Sequence, residues 1–165
     1  MRPRVALALV AVLALAGCHR KEITSLERKE GASLSSEADF AVTMKEWSRA
    51  EDLFAKAVKL CPDQGDTWLN LAVVRMRLKN PDGARSAYKS ALAAYQDDMD
   101  RNPNNTMSVL RRAYVLVILG RADEARSLAA KSLSKHPEDR TLKGFVEGKG
   151  VEKMLADPRL KEISP

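Results

Sequence analysis

The stretch EWSRAEDLFAKAVKLCPDQ, residues 46–64, carries the pattern that decides the fold. Ala50, Phe54 and Ala57 follow one another at spacings of four and three, the spacing of a single helix face, and Pro62 ends the helix they belong to. The same set returns 34 residues later as Ala84, Tyr88 and Ala91, and Pro103 and Pro137 stand at that interval too. Self-similarity at this period marks a helix-turn-helix unit that buries its apolar face only by stacking on its neighbours.

Working outward, one spacing departs from the period. Pro62 and Pro103 are 41 residues apart although Ala50 and Ala84 keep 34, so seven extra residues lie between Ala91 and Pro103. About two more turns there lengthen a helix by about 10 Å and carry YQDDMDRN beyond the repeat body. Asp97, Asp98 and Asp100 then sit near a helix C-terminus, where negative charge opposes the macrodipole. They read either as a solvated extension or as an acidic knob for a basic partner.

In this register the units run 31–64, 65–105 and 106–139, and they resemble the tetratricopeptide repeat. Residues 46–64 look like the second half of such a repeat, with Ala50 at the close helix crossing. Trp68, Leu71 and Ala72 match the aromatic, leucine and small positions of the first helix, and Ala113, Gly120, Ala125 and Pro137 continue the pattern in the third unit. Glu37 and Arg112 stand where that helix usually has leucine. Lys45 and Lys79 occupy the inter-helix turn where Gly120 is the usual glycine, and Pro81 opens the following helix. The resemblance covers about residues 31–139. It implies an all-α fold, a short α-solenoid of three helix-turn-helix units plus a C-terminal capping helix within 140–165, where Leu142, Phe145 and Val146 share one face and Met154, Leu155 and Leu160 follow.

The start of the chain follows a different pattern. Arg2 and Arg4 precede VALALVAVLALAG, an apolar run too short to span a bilayer but suited to a secretory signal peptide over residues 1–17. Leu15, Ala16, Gly17 and Cys18 resemble the lipobox of bacterial lipoproteins, which implies cleavage before Cys18 and covalent lipid on it. Residues 18–30, charged and without apolar periodicity, read as a lipidated tether. By the family's sorting pattern, His19 in place of aspartate favours the outer over the inner membrane, with the domain facing the periplasm.

The formal charge is +6, and it falls to about +4 once Arg2 and Arg4 are removed. Basic residues alternate with 22 acidic ones rather than forming a block, so they read as solvated helix faces, and no nucleic-acid partner is expected. Aromatics at 5% with abundant Ala, Leu and Lys favour helix over sheet. With Cys18 lipidated, Cys61 is the last thiol, so no internal disulfide is expected.

Catalysis finds little support. Cys61 and His136 each precede a helix-ending proline, His19 lies in the tether, and no HExxH, CxxC, GxSxG or phosphate-binding glycine loop occurs. Neither a metal nor a cofactor is expected beyond the lipid. The family resemblance instead implies a concave surface lined by the first helices, at Asp39, Asn70, Val73, Met76, Arg77, Leu110, Arg111, Tyr114 and Val117. Only Asn70 and Arg111 match the set with which some family members clamp a peptide carboxylate; Ser35, Asp39 and Met107 replace the rest. Met76 and Tyr114 read as apolar anchors and Arg77 and Arg111 as charged contacts for a protein or peptide partner in the envelope. The expected function is a membrane-anchored adaptor, for secretin or pilus assembly or for docking cell-wall enzymes. A fixed structural subunit of an envelope complex is the alternative, and a thiol enzyme acting through Cys61 a third reading.

Overall fold

The computed structural model describes residues 22–165; the signal segment 1–17 and Cys18 lie outside them. Among the described residues the chain forms helices only: α1 (Ser25–Thr43), α2 (Trp47–Leu60), α3 (Gly65–Arg77), α4 (Pro81–Arg101), α5 (Thr106–Ile118), α6 (Ala122–Lys135), α7 (Arg140–Glu147), α8 (Gly150–Ala156) and α9 (Arg159–Ile163). They pack as the hairpins α1/α2, α3/α4 and α5/α6, and each hairpin stacks on the next through α2 against α3 and α4 against α5. This is the all-α solenoid expected from the repeat.

The spaced residues that announced the repeat form its core. Ala50, Phe54, Ala84, Tyr88, Ala91, Ala113 and Ala125 are all fully buried. The small residues let helix axes approach, and the aromatic rings fill the space between them. In the third unit the aromatic position is taken by Ala129, also buried, so that layer is closed by other side chains, with Leu116 and Ile118 of α5 among the buried set.

Each unit turns in the same way. After α1 the Glu46 N–H donates to the Ala41 carbonyl at 2.9 Å and Lys45 N–H to Val42 at 3.0 Å; Asn80 to Arg75 with Lys79 to Met76, and Arg121 to Leu116 with Gly120 to Val117, repeat the pair. These are Schellman caps, which place the residue after the helix in the left-handed region. Accordingly Lys45, Lys79 and Gly120 have φ of 60°, 58° and 74°. The turns between units also coincide: Gln64 N–H donates to Cys61, Asn105 to Asn102 and Asp139 to His136.

At the N-terminal end the structure corrects the sequence reading. Helix α1 begins at Ser25, so residues 25–30 belong to it rather than to a tether. The cause is a capping box: Thr24 Oγ1 accepts from the Glu27 N–H at 3.1 Å, and the Glu27 carboxylate accepts from the Thr24 N–H at 2.8 Å. This first stretch is anchored on the end of α2, where Cys61 Sγ donates to the Glu27 carbonyl and Arg28 pairs with Asp63 at 2.9 Å.

The seven-residue insertion lies in α4, which has 21 residues against 14 in α2 and in α6. Its last turns carry Tyr95, whose buried ring lies so close to Gly65 that a Cβ there would be 2.4 Å from a ring carbon. Beyond α6, three helices replace the single cap expected. Helix α7 packs on α6, and α8 on α5, α6 and α7, with Leu142 and Val151 buried. Helix α9 leaves this cap and packs on α3 and α5. No helix among the described residues is long and apolar enough to cross a membrane.

Candidate partner-binding groove

The first helices α1, α3 and α5 lie side by side and are linked along one face by polar contacts. Ser35 and Thr67 hydroxyls are 3.3 Å apart, and Asn70 Nδ2 donates to the Asp39 carboxylate at 3.3 Å, joining α1 to α3. Arg111 pairs with Asp66, joining α3 to α5. The phenol of Tyr95 donates to the same Asp66 at 2.6 Å. Burial, then this carboxylate, pushes the Tyr95 hydroxyl well above the ordinary tyrosine range, so it remains a donor.

Apart from Arg77, which pairs with Glu162, the sequence-derived groove residues divide into three groups. Val73, Met76 and Tyr114 are partly exposed and pack against the core from this face, and Leu110 is half-buried beside them. Asn70 and Arg111 are engaged in the inter-helix contacts just given, and Asp39, which shares the Asn70 bond, has its carboxyl raised by burial. Val117 is buried within the main apolar cluster and offers no surface in this arrangement.

Sequence reasoning missed what occupies the face. Helix α9 lies across α3 and α5. Its Leu160 and Ile163 are buried in the same cluster that Val73, Met76 and Tyr114 pack against, and the Glu162 carboxylate pairs with Arg77 at 2.9 Å. The buried Tyr88 phenol, reaching through from α4, donates to the Ile163 carbonyl at 2.7 Å. Asp157, just before α9, and Arg159, its first residue, lie close enough to Tyr114 to act on its hydroxyl, which burial, and then Asp157, raise above the usual range. Two signals for this seat were present in the sequence: an apolar pair three residues apart, and a core tyrosine whose hydroxyl needs an acceptor.

Where α9 does not reach, a polar cleft of about 450 Å³ opens at the N-terminal ends of α3 and α5. Its charges compensate one another. Asp63 lies 2.9 Å from Arg28 and 3.7 Å from Arg101, and Asp66 meets Arg111. Asp98 accepts from the Ser108 hydroxyl and, at 2.8 Å each, from Asn102 and Asn105. These bonds, that from Ser108 foremost, hold its carboxyl below the ordinary range. The acidic extension of α4 is therefore drawn into the α4–α5 turn at Asp98, and Asp100 accepts from Gln96 at 2.7 Å.

Cys61 and His136 occupy equivalent places, as the residues capping α2 and α6. The Cys61 thiol is buried, its Sγ would lie 2.8 Å from a Cβ at Gly31, and burial with nearby carboxylates pushes its pKa up. That is the environment of an inert packing thiol rather than a nucleophile. Among the described residues no group of three His, Cys, Asp or Glu side chains could hold a metal ion.

A family model described as tetratricopeptide repeat matches residues 41–102. Among solved structures, the chain is similar to the first such domain of Spaghetti (RPAP3), bound to the HSP90 peptide SRMEEVD, at 19% identity and a TM-score of 0.48, covering 79% of this chain and 96% of that one. It is also similar to the Arabidopsis OM64 domain at 21% identity and a TM-score of 0.47, covering 77% and 98%. No curated protein matches.

Proposed function

We propose that this chain, whose residues 41–102 match the tetratricopeptide repeat, is an adaptor that holds a protein partner at a bacterial membrane. The observation that supports the reading is the shared face of α3 and α5. There Met76 and Tyr114 supply apolar contact and Arg77 and Arg111 supply charge, on helices fixed by the repeat core. A preformed face binds an extended or helical segment with little ordering of the adaptor itself.

Location is the second half of the proposal. The run ending Leu15-Ala16-Gly17-Cys18 supports lipid attachment at Cys18 and a domain facing the periplasm, with the outer membrane favoured. Tethering concentrates the partner at the membrane without any new contact. Secretin or pilus assembly and cell-wall enzyme docking are roles this arrangement suits.

Crosslinking pull-down from detergent-solubilised membranes tests the reading, comparing the natural chain with a Met76→Glu, Tyr114→Glu variant that keeps its helical circular dichroism. Loss of one specific envelope protein from the variant's eluate supports the groove as the binding site. Identical eluates containing a salt-resistant, stoichiometric complex would replace the adaptor by the fixed-subunit reading.

A further inference from the structure

We propose that residues 157–165 are a built-in, displaceable ligand of the α3–α5 face, and that the partner of this face is a short helical segment of the same chemistry. That chemistry is an apolar pair three residues apart with a carboxylate between them. The inference rests on the groove reading above and names both the partner class and its competitor.

The seat is specific at three points. Leu160 and Ile163 are buried in the cluster bordered by Val73, Met76 and Tyr114. Glu162 lies 2.9 Å from Arg77. The Tyr88 hydroxyl, buried and kept protonated by its surroundings, donates to a backbone carbonyl at 2.7 Å. The first two contacts read side chains and the third reads backbone, so any peptide with this pattern meets the same demands. A helix-in-groove contact is made of these parts.

The seat is also weakly held compared with the repeats. Helix α9 has five residues, too few to be stable alone, and it joins α8 through Asp157 and Pro158 without intervening structure. Its ion pair is exposed on both sides, with side-chain exposures of 42% and 56%, and such pairs hold little. The repeat helices share a continuous core. Local opening of α9 is therefore the least costly opening that uncovers this face. Leaving the Tyr88 hydroxyl without an acceptor is unfavourable, which favours exchange for another carbonyl-bearing segment over an empty groove. A partner then binds with its apparent affinity reduced by the fraction of time the segment is seated.

The test uses the full chain in detergent and a fluorescein-labelled peptide of residues 156–165, ADPRLKEISP. A Leu160→Asp, Ile163→Asp chain, whose own segment cannot seat, is expected to bind the peptide at least about tenfold more tightly than the natural chain. Glu162→Lys in the peptide should weaken that binding roughly two- to fivefold. A variant that keeps its helix content yet binds no peptide, or binds it no better than the natural chain, overturns the proposal. Should the variant lose its fold, amide exchange in the natural chain decides. Exchange of Leu160 and Ser164 well ahead of α3 and α5 supports a detachable segment, whereas equal protection makes α9 a permanent part of the core. Peptide binding without any envelope protein dependent on Met76 and Tyr114 would sink the adaptor reading and leave this one standing; the reverse result would sink only this one.

Discussion

Lys79 adopts φ of 58° in a turn where Gly120 adopts 74°, and the two positions make a matched pair of tests. A side chain in the left-handed region costs about 1–2 kcal/mol. Lys79→Gly should therefore raise unfolding free energy by about 1 kcal/mol and Gly120→Ala should lower it by a similar amount, read from urea denaturation. Beyond Gly120 and its two chain neighbours, no heavy atom lies within 4 Å of a Cβ added there, so the second effect is conformational. Arg112 offers a different kind of test. It replaces the usual leucine, its Nε is buried with no hydrogen-bond partner among the described residues, and burial lowers its pKa. An unsatisfied buried donor costs about 1–3 kcal/mol, so Arg112→Leu should stabilise the chain by about 1 kcal/mol; an unchanged denaturation midpoint would show that water satisfies the Nε.

At the scale of the element, the lengthened α4 carries its own predictions. Its Tyr95 ring occupies the space a side chain at Gly65 would need, so Gly65→Ala should destabilise by about 1–3 kcal/mol as the ring is forced aside. Asp98 titrates below the usual carboxylate range because the Ser108 hydroxyl and two asparagine amides donate to it. A depressed folded-state pKa contributes stability that is complete above the unfolded value of about 3.9 and is lost as the pH falls through the folded value. Asp98→Asn should thus be less stable than the natural chain from neutral pH down to about pH 5, with the gap closing below about pH 4 in thermal melts. A gap that shows no pH dependence anywhere below about pH 5 would mean that the carboxylate's charge contributes nothing. Elements of this kind were largely legible in the sequence. The 34-residue spacing placed the three hairpins, and the displaced proline placed the insertion in α4. The start of α1 was not found, because its first turns pack only against the end of α2 and show no apolar period, although the Thr24–Glu27 capping box was there to be read. The turn-forming role of Asp98 was not found either, since its partners Ser108 and Asn105 come close only when α4 and α5 stack.

For the whole molecule, the same contrast holds more sharply. Interactions between neighbouring units follow from a period, and the period is visible. The seating of α9 joins residues far apart in sequence, such as Tyr88 of α4 and Ile163, and no periodicity encodes it. Hence repeat spacing locates the candidate groove residues on α3 and α5, whereas the seating of α9 against them rests on contacts that no period encodes. A stacked array in which each unit touches only its neighbours frays from its ends and behaves as a soft spring. Helix α9 fastens the third unit's first helix to the second unit's, so it acts as a cross-brace on that spring. With the brace seated the repeats should resist bending as one body. With it released, the curvature between the second and third units becomes free to adjust, and the stack gains a compliant joint where it had been stiff.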